Sequence, residues 1–106
     1  LFFCGRFSHA DIKRPAAGEF RVQEVLGGTT TRFDATPRDV AAGERVLAAL
    51  DTVPLYARCD FLRGPDGDWL LSELELTEPS MFMALDPGSP ERFARAILSR
   101  CGARAR

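Results

Sequence analysis

The stretch LYARCDFLRGPDGDWLLSELEL, residues 55–76, decides the fold. Leu55 to Arg63 and Asp68 to Leu76 both read as strands. Gly64-Pro65-Asp66-Gly67 between them has the composition of a tight turn, so the stretch is an antiparallel hairpin. With a four-residue loop, Arg63 faces Asp68, Phe61 faces Leu70, Cys59 faces Ser72, Ala57 faces Leu74 and Leu55 faces Leu76. That side is apolar except for its outermost charged pair, and it packs on a core. The opposite side sets Tyr56, Arg58 and Asp60 across from Glu75, Glu73 and Leu71. Three carboxylates and an arginine then share one sheet face. A two-residue turn keeps this parity. A three- or five-residue loop flips it and scatters the acids.

Working outward, Thr36-Pro37-Arg38-Asp39 starts a helix: Thr36 caps, Pro37 fits the first helical position, and Asp39 stands where a capping-box acid would. Val40, Val46, Leu47 and Leu50 give that helix an apolar stripe, and Asp51 to Pro54 closes it. A second helix starts at Ser89-Pro90-Glu91 and turns Phe93, Ala94, Ile97, Leu98 and Cys101 inward before Gly102. On the N-terminal side, Leu1 to Cys4, a turn at Gly5-Arg6, and Phe7 to Arg14 read as a first hairpin. Glu19 to Leu26 alternates like a half-buried strand and ends at Gly27-Gly28. Thr29 to Ala35 reads as a polar connection. The order is hairpin, strand, helix, hairpin, helix. This is an α+β chain with an antiparallel sheet and two helices packed on one face.

Composition bounds the function. The chain has 106 residues, enough for one domain spanning 1–106; 45% are hydrophobic and 27% charged, as in globular proteins. A net charge of −1 gives nucleic acid or an anionic membrane no electrostatic handle, and no apolar run is long enough to span a bilayer. Cys4, Cys59 and Cys101 are isolated in sequence, without zinc or redox spacing, which suits reduced thiols in the cytoplasm. The chain opens on Leu1, in what reads as a strand entered partway, and so it reads as a piece of a longer protein.

Three acids on one face repel one another unless something neutralises them. Arg58 can offset one. A divalent cation offsets more, and Mg²⁺ prefers carboxylate oxygens with water or phosphate completing its shell. The alternative is a solvated face with Arg58 bridging to Glu73. A second polar row, Glu19, Arg21 and Gln23, offers Arg21 as a bidentate phosphate or carboxylate ligand; the alternative there is an exposed strand face beside Lys13 and Arg14. Asp11, Lys13 and Glu24 read as solvated. His9 has no triad partner at a recognisable spacing. Gly27-Gly28-Thr29-Thr30-Thr31 lacks the lysine and helix start of a P-loop. Met81-Phe82-Met83 reads as packing, and Trp69 as a cover for the end of the hairpin.

Taken together, Lys13-Arg14-Pro15, Gly18-Glu19-Phe20-Arg21-Val22-Gln23-Glu24 with Gly27-Gly28, Tyr56-Ala57-Arg58-Cys59-Asp60, and Leu71-Ser72-Glu73-Leu74-Glu75-Leu76-Thr77-Glu78-Pro79-Ser80 resemble the C-terminal part of the ATP-grasp ligases. The nearest branch is the prokaryotic glutathione-synthetase-like and ribosomal-protein-S6-modification-like one. The resemblance covers about residues 7 to 98. It implies the C-terminal subdomain of the ATP-grasp fold. It also implies that Asp60 and Glu73 are metal-binding acids holding Mg²⁺ (or Mn²⁺) against ATP. Glu75 takes the third metal position, where the family often has asparagine; glutamate there adds negative charge. By the same resemblance Arg21 steadies the phosphates or the acyl-phosphate and is the catalytic candidate. Gln23 lies near the same site, and Arg14 near the acceptor substrate. The implied chemistry is activation of a small-molecule carboxylate by ATP, followed by displacement by an amine or related nucleophile. The family's N-terminal and central domains are not among these residues, so the 106-residue piece is expected to be inactive as a ligase by itself. The reading from a different class is a non-catalytic α+β interaction or structural module that keeps the scaffold.

Overall fold

A computed structural model describes residues 1–20 and 27–102. Its elements in chain order are β1 (Phe2–Phe3), β2 (Arg6–Phe7), β3 (Ala10–Arg14), β4 (Thr29–Phe33), α1 (Pro37–Ala48), β5 (Tyr56–Arg63), β6 (Trp69–Glu75), a single 3₁₀ turn at Met83–Leu85, and α2 (Ser89–Gly102). An antiparallel sheet has the order β2-β1-β5-β6, and β3 and β4 form a separate two-stranded ribbon. The α+β class with two helices is as the sequence reads.

The N-terminal hairpin is tighter than expected. Phe3 pairs with Arg6 across Cys4 and Gly5, both with positive φ (47° and 76°). That is the mirror-image turn that matches strand twist. The expected second strand, Phe7 to Arg14, breaks at Ser8 and His9. His9 is buried there: its Nε2 donates to the Met81 carbonyl at 2.7 Å, and its Nδ1 faces the Ser8 hydroxyl at 2.8 Å. Past this break, β3 leaves the sheet and pairs with Thr29–Phe33. The segment expected to be a polar connection is therefore a strand. Its three consecutive threonines are β-branched and suit a pleated ribbon whatever their polarity. The strand read at Glu19 to Leu26 falls mostly on residues 21–26, outside the described ones.

The helices are placed by neighbouring residues of β1. Phe3 and its register partner Tyr56 meet the Phe93 ring of α2, with ring centroids 5.0 and 6.0 Å away. Phe2, whose partner is Ala57, reaches α1 at Gly43. Successive strand residues point to opposite faces, so α1 and α2 approach the sheet from opposite sides rather than both on one. The α1 start is the expected capping box between Thr36 and Asp39. Asp39 also accepts from Trp69 Nε1 at 2.6 Å, which ties the helix to β6. That indole bond, with the Thr36 donors, holds the Asp39 carboxyl below its usual range. No helix among the described residues is long and apolar enough to cross a membrane.

The central hairpin departs from its expected register in an informative way. The connection is five residues, Gly64 to Asp68, because Arg63 pairs with Trp69. Leu62 therefore faces Leu70 and Phe61 faces Leu71, one step off the expected pairing. Leu62 and Leu70 are left 62% and 55% exposed, so Leu70 is not in the core. Trp69 covers the hairpin end as expected, with the Arg63 guanidinium 3.8 Å from its ring centroid. Between Phe61 and Asp60 the ladder shifts again, and Asp60 pairs with Glu73 and Arg58 with Glu75. Ser72 is the extra residue of a β-bulge. The five-residue loop flips the parity, and the bulge flips it back.

Two measurements test this packing. A Cβ built on Gly43 would lie 2.4 Å from two carbons of the Phe2 ring. Gly43→Ala, which ordinarily strengthens a helix by about 1 kcal/mol, is therefore expected to lower stability by about 1–3 kcal/mol through overpacking. A stabilised variant in urea denaturation would disprove the close approach. The second concerns His9, where burial, with lesser charge contributions, holds the imidazole below its ordinary pKa. The unfolded chain then binds the proton first as pH falls. His9's contribution to stability is complete above about pH 6.5 and declines as pH drops below it. Urea midpoints at pH 7.5 and 5.5 are expected to differ more for the wild type than for His9→Gln; equal differences refute it.

Candidate functional site

The candidate face is the end of the β5–β6 ribbon beyond the bulge. Arg58 and Asp60 lie two apart on β5 and so point the same way. Their partners Glu75 and Glu73 do the same on β6. Arg58 is the centre of the group and only 8% exposed. Its Nε donates to Asp60 Oδ1 at 3.0 Å, and its Nη2 donates to Glu75 Oε1 at 2.7 Å and reaches Glu73 Oε2 at 3.5 Å. Its Nη1 donates to the Ser80 carbonyl at 3.3 Å. Burial pulls its pKa down, but Asp60, Glu75 and Glu73 outweigh this and hold the guanidinium charged. The sequence reading allowed Arg58 one bridge, to Glu73. In the structure it touches all three acids, and Glu73 most loosely.

Lys13 was expected to be solvated. It is instead half-buried, and its Nζ lies 2.7 Å from Asp60 Oδ2. The same ammonium stands 5.4 Å from the centroid of the Phe82 ring. Asp11 is also half-buried, and burial raises its pKa despite the nearby Lys13. Lys13 was missed because its strand leaves the main sheet, and no sequence period shows that a side chain of β3 reaches Asp60 on β5. Arg14 follows Lys13 on β3 and is exposed. By alternation it points away from Asp60. Arg21, Gln23 and Glu24 lie outside the described residues.

Segment 78–82 borders the acidic face. Glu78 and Phe82 both adopt positive φ (54° and 46°), which costs a non-glycine residue about 1–2 kcal/mol. The segment supplies the Ser80 carbonyl to Arg58 and the Phe82 ring to Lys13. Beneath it, Asp86 accepts from Arg92 Nη2 at 2.5 Å and pairs with Arg32 at 3.3 Å. The Arg92 bond holds the Asp86 carboxyl below its usual range. Met81 is drawn into this support through its carbonyl on His9, beyond the packing role read from sequence.

As arranged, the three acids share a cation, and that cation is Arg58. Among the described residues no three His, Cys, Asp or Glu side chains form a group that could hold a metal ion. Magnesium, however, is commonly held by one or two carboxylates, with phosphate and water supplying the rest. Asp60 and Glu73, register partners with hard oxygen donors on one side of the ribbon, fit that demand. All three cysteines are free thiols.

No family model matches the chain. It is 30% identical over 110 residues to the cycloserine biosynthesis protein DcsG of Streptomyces lavendulae, and the match takes in 93% of this chain and 36% of that protein. The structure is similar to the crystal structure of D-cycloserine synthetase DcsG, with a TM-score of 0.78 and 31% identity over the same shares of the two chains. The chain thus spans about a third of the length of the relative it matches.

The electrostatic arrangement is testable by itself. Arg58→Met leaves three carboxylates without their shared cation. Because those partners are partly exposed, the cost is expected at about 2 kcal/mol, between that of exposed and buried pairs. Arg58→Lys recovers part of it. A loss below about 0.5 kcal/mol in urea denaturation, the size of an ordinary surface pair, would mean the acids do not depend on Arg58.

Proposed function

We propose that these residues are the ATP- and Mg²⁺-binding C-terminal portion of an ATP-grasp ligase, an ATP-dependent carboxylate–amine (or related) ligase working through an acyl-phosphate. The observation that carries this reading is the likeness to a synthetase along nearly the whole chain, coinciding with a carboxylate cluster assembled about one buried arginine.

The roles follow from the chemistry of the side chains. Asp60 and Glu73 would hold Mg²⁺ (Mn²⁺ could substitute), and Glu75 stands as a third, more weakly committed acid. The bound metal supplies charge neutralisation to the phosphate oxygens during transfer. Arg58 keeps the acids gathered on one face and compensates part of their charge. Arg21, with Gln23 beside it, would hold the phosphates or the acyl-phosphate, where a forked guanidinium suits a charged oxygen pair. Arg14 would lie nearer the acceptor. No side chain needs to act as a covalent nucleophile, because phosphoryl transfer calls chiefly for positioning and electrostatic stabilisation. The substrate class is a small carboxylate and an amine-type nucleophile, met together with the remaining domains of a longer protein in the cytoplasm.

The full-length parent protein is expected to release ADP in the presence of Mg²⁺ only when both a carboxylate and an amine-type acceptor are supplied. Glu73→Gln should lower that turnover by about 100-fold, the scale of losing one transition-state charge contact. The isolated 106 residues should show none. Turnover indifferent to Glu73, or clear turnover by the isolated piece, refutes the assignment. A second reading, a non-catalytic module, draws on the cations that Arg58 and Lys13 already supply to the acids. It predicts no nucleotide dependence of any kind.

A further inference from the structure

We infer that Lys13 is a resident counter-ion of Asp60 that gives way to the divalent cation, and so sets how tightly this site takes metal. The inference rests on the metal reading above. Its own basis is the unequal fastening of the two cations that serve one carboxylate. Asp60 has both oxygens occupied, Oδ1 by Arg58 and Oδ2 by Lys13. Arg58 is fixed by three carboxylates and the Ser80 carbonyl, and it is buried. Among the described residues Lys13 has one hydrogen-bond acceptor, on a flexible four-carbon stem, and its side chain is a quarter exposed. Of the two, Lys13 is the one that can leave without dismantling the ribbon.

Charge points the same way. Counting the carboxylates that Arg58 touches, three negative charges meet the positive charges of Arg58 and Lys13, leaving that group one charge negative. Adding a divalent cation with both in place makes it one charge positive. If the ammonium withdraws, the carboxylates, the guanidinium and the metal are neutral together. A second attraction already acts on the ammonium where it stands. Phe82 presents its ring to Nζ within the distance at which an ammonium is attracted to an aromatic face. Phe82 holds this position from a left-handed backbone conformation, which a bulky residue adopts only when its surroundings enforce it. A purely structural Lys13, clipping β3 to β5, would have the opposite effect: removing it would loosen the site and weaken metal binding.

The experiment compares Mn²⁺ affinity, by water-proton relaxation, for the wild-type chain and Lys13→Met. The variant is expected to bind about fivefold to tenfold more tightly, the scale of one partly exposed ion pair, and Lys13→Arg to bind no more tightly than wild type. Equal or weaker binding by Lys13→Met overturns the inference while leaving the metal reading intact. No binding by either chain overturns both. A second measurement avoids substitution. Lys13 is the sole lysine, so reductive ¹³C-methylation gives one side-chain NMR signal, apart from the terminal amine. That signal should shift with added Mg²⁺ and saturate at the midpoint of metal binding; a signal that stays still while metal binds also overturns the inference.

Discussion

Ser72 is the residue that β6 carries beyond what β5 can pair, and the acidic face depends on it. On the turn side of the ribbon, the five-residue connection sets Phe61 against Leu71. Continued without interruption, that register would put Glu73 opposite Cys59, on the side facing away from Arg58 and Asp60. One unpaired residue rotates the remainder of β6 by a half-period and returns Glu73 and Glu75 to the arginine. Bulges near functional sites commonly re-aim side chains in this way. Here the bulge also marks a boundary: the turn side carries exposed leucines and an aromatic cover, and the far side carries charge.

Beyond the bulge, the acids are held by Arg58, and the balance is narrow. A buried guanidinium is stable only if its desolvation is repaid by charged partners with good geometry. It has four acceptors, one of them a backbone carbonyl from a segment with two residues at positive φ. The strain in that segment and the burial of Arg58 thus support one another. The Ser8–His9–Arg92–Asp86 network anchors the segment to α2 and to the chain that follows β2.

Much of this was legible from residues alone. The Thr36–Asp39 capping box, the Gly–Pro–Asp–Gly turn and the grouping of Asp60, Glu73 and Glu75 with Arg58 each have a local signature, in side chains that satisfy a nearby backbone or in period-two alternation. What escaped was non-local or compensating. The exact loop length and the bulge cancel in their effect on parity, so the acids converge by a route different from the expected one. The Thr29–Phe33 strand looked like a connection because its residues are polar, and polarity reports exposure rather than backbone conformation. Lys13 looked solvated because its partner lies 47 positions away on another sheet. The opposite placement of α1 and α2 turns on two adjacent phenylalanines, which sequence periodicity treats as one apolar run.

Asp39 serves two masters: one oxygen closes the first turn of α1 and the other receives the indole of Trp69. Because Trp69 is the sole tryptophan, its emission is wired to the beginning of that helix. The molecule therefore carries a native optical probe, placed where fraying of the helix start is registered.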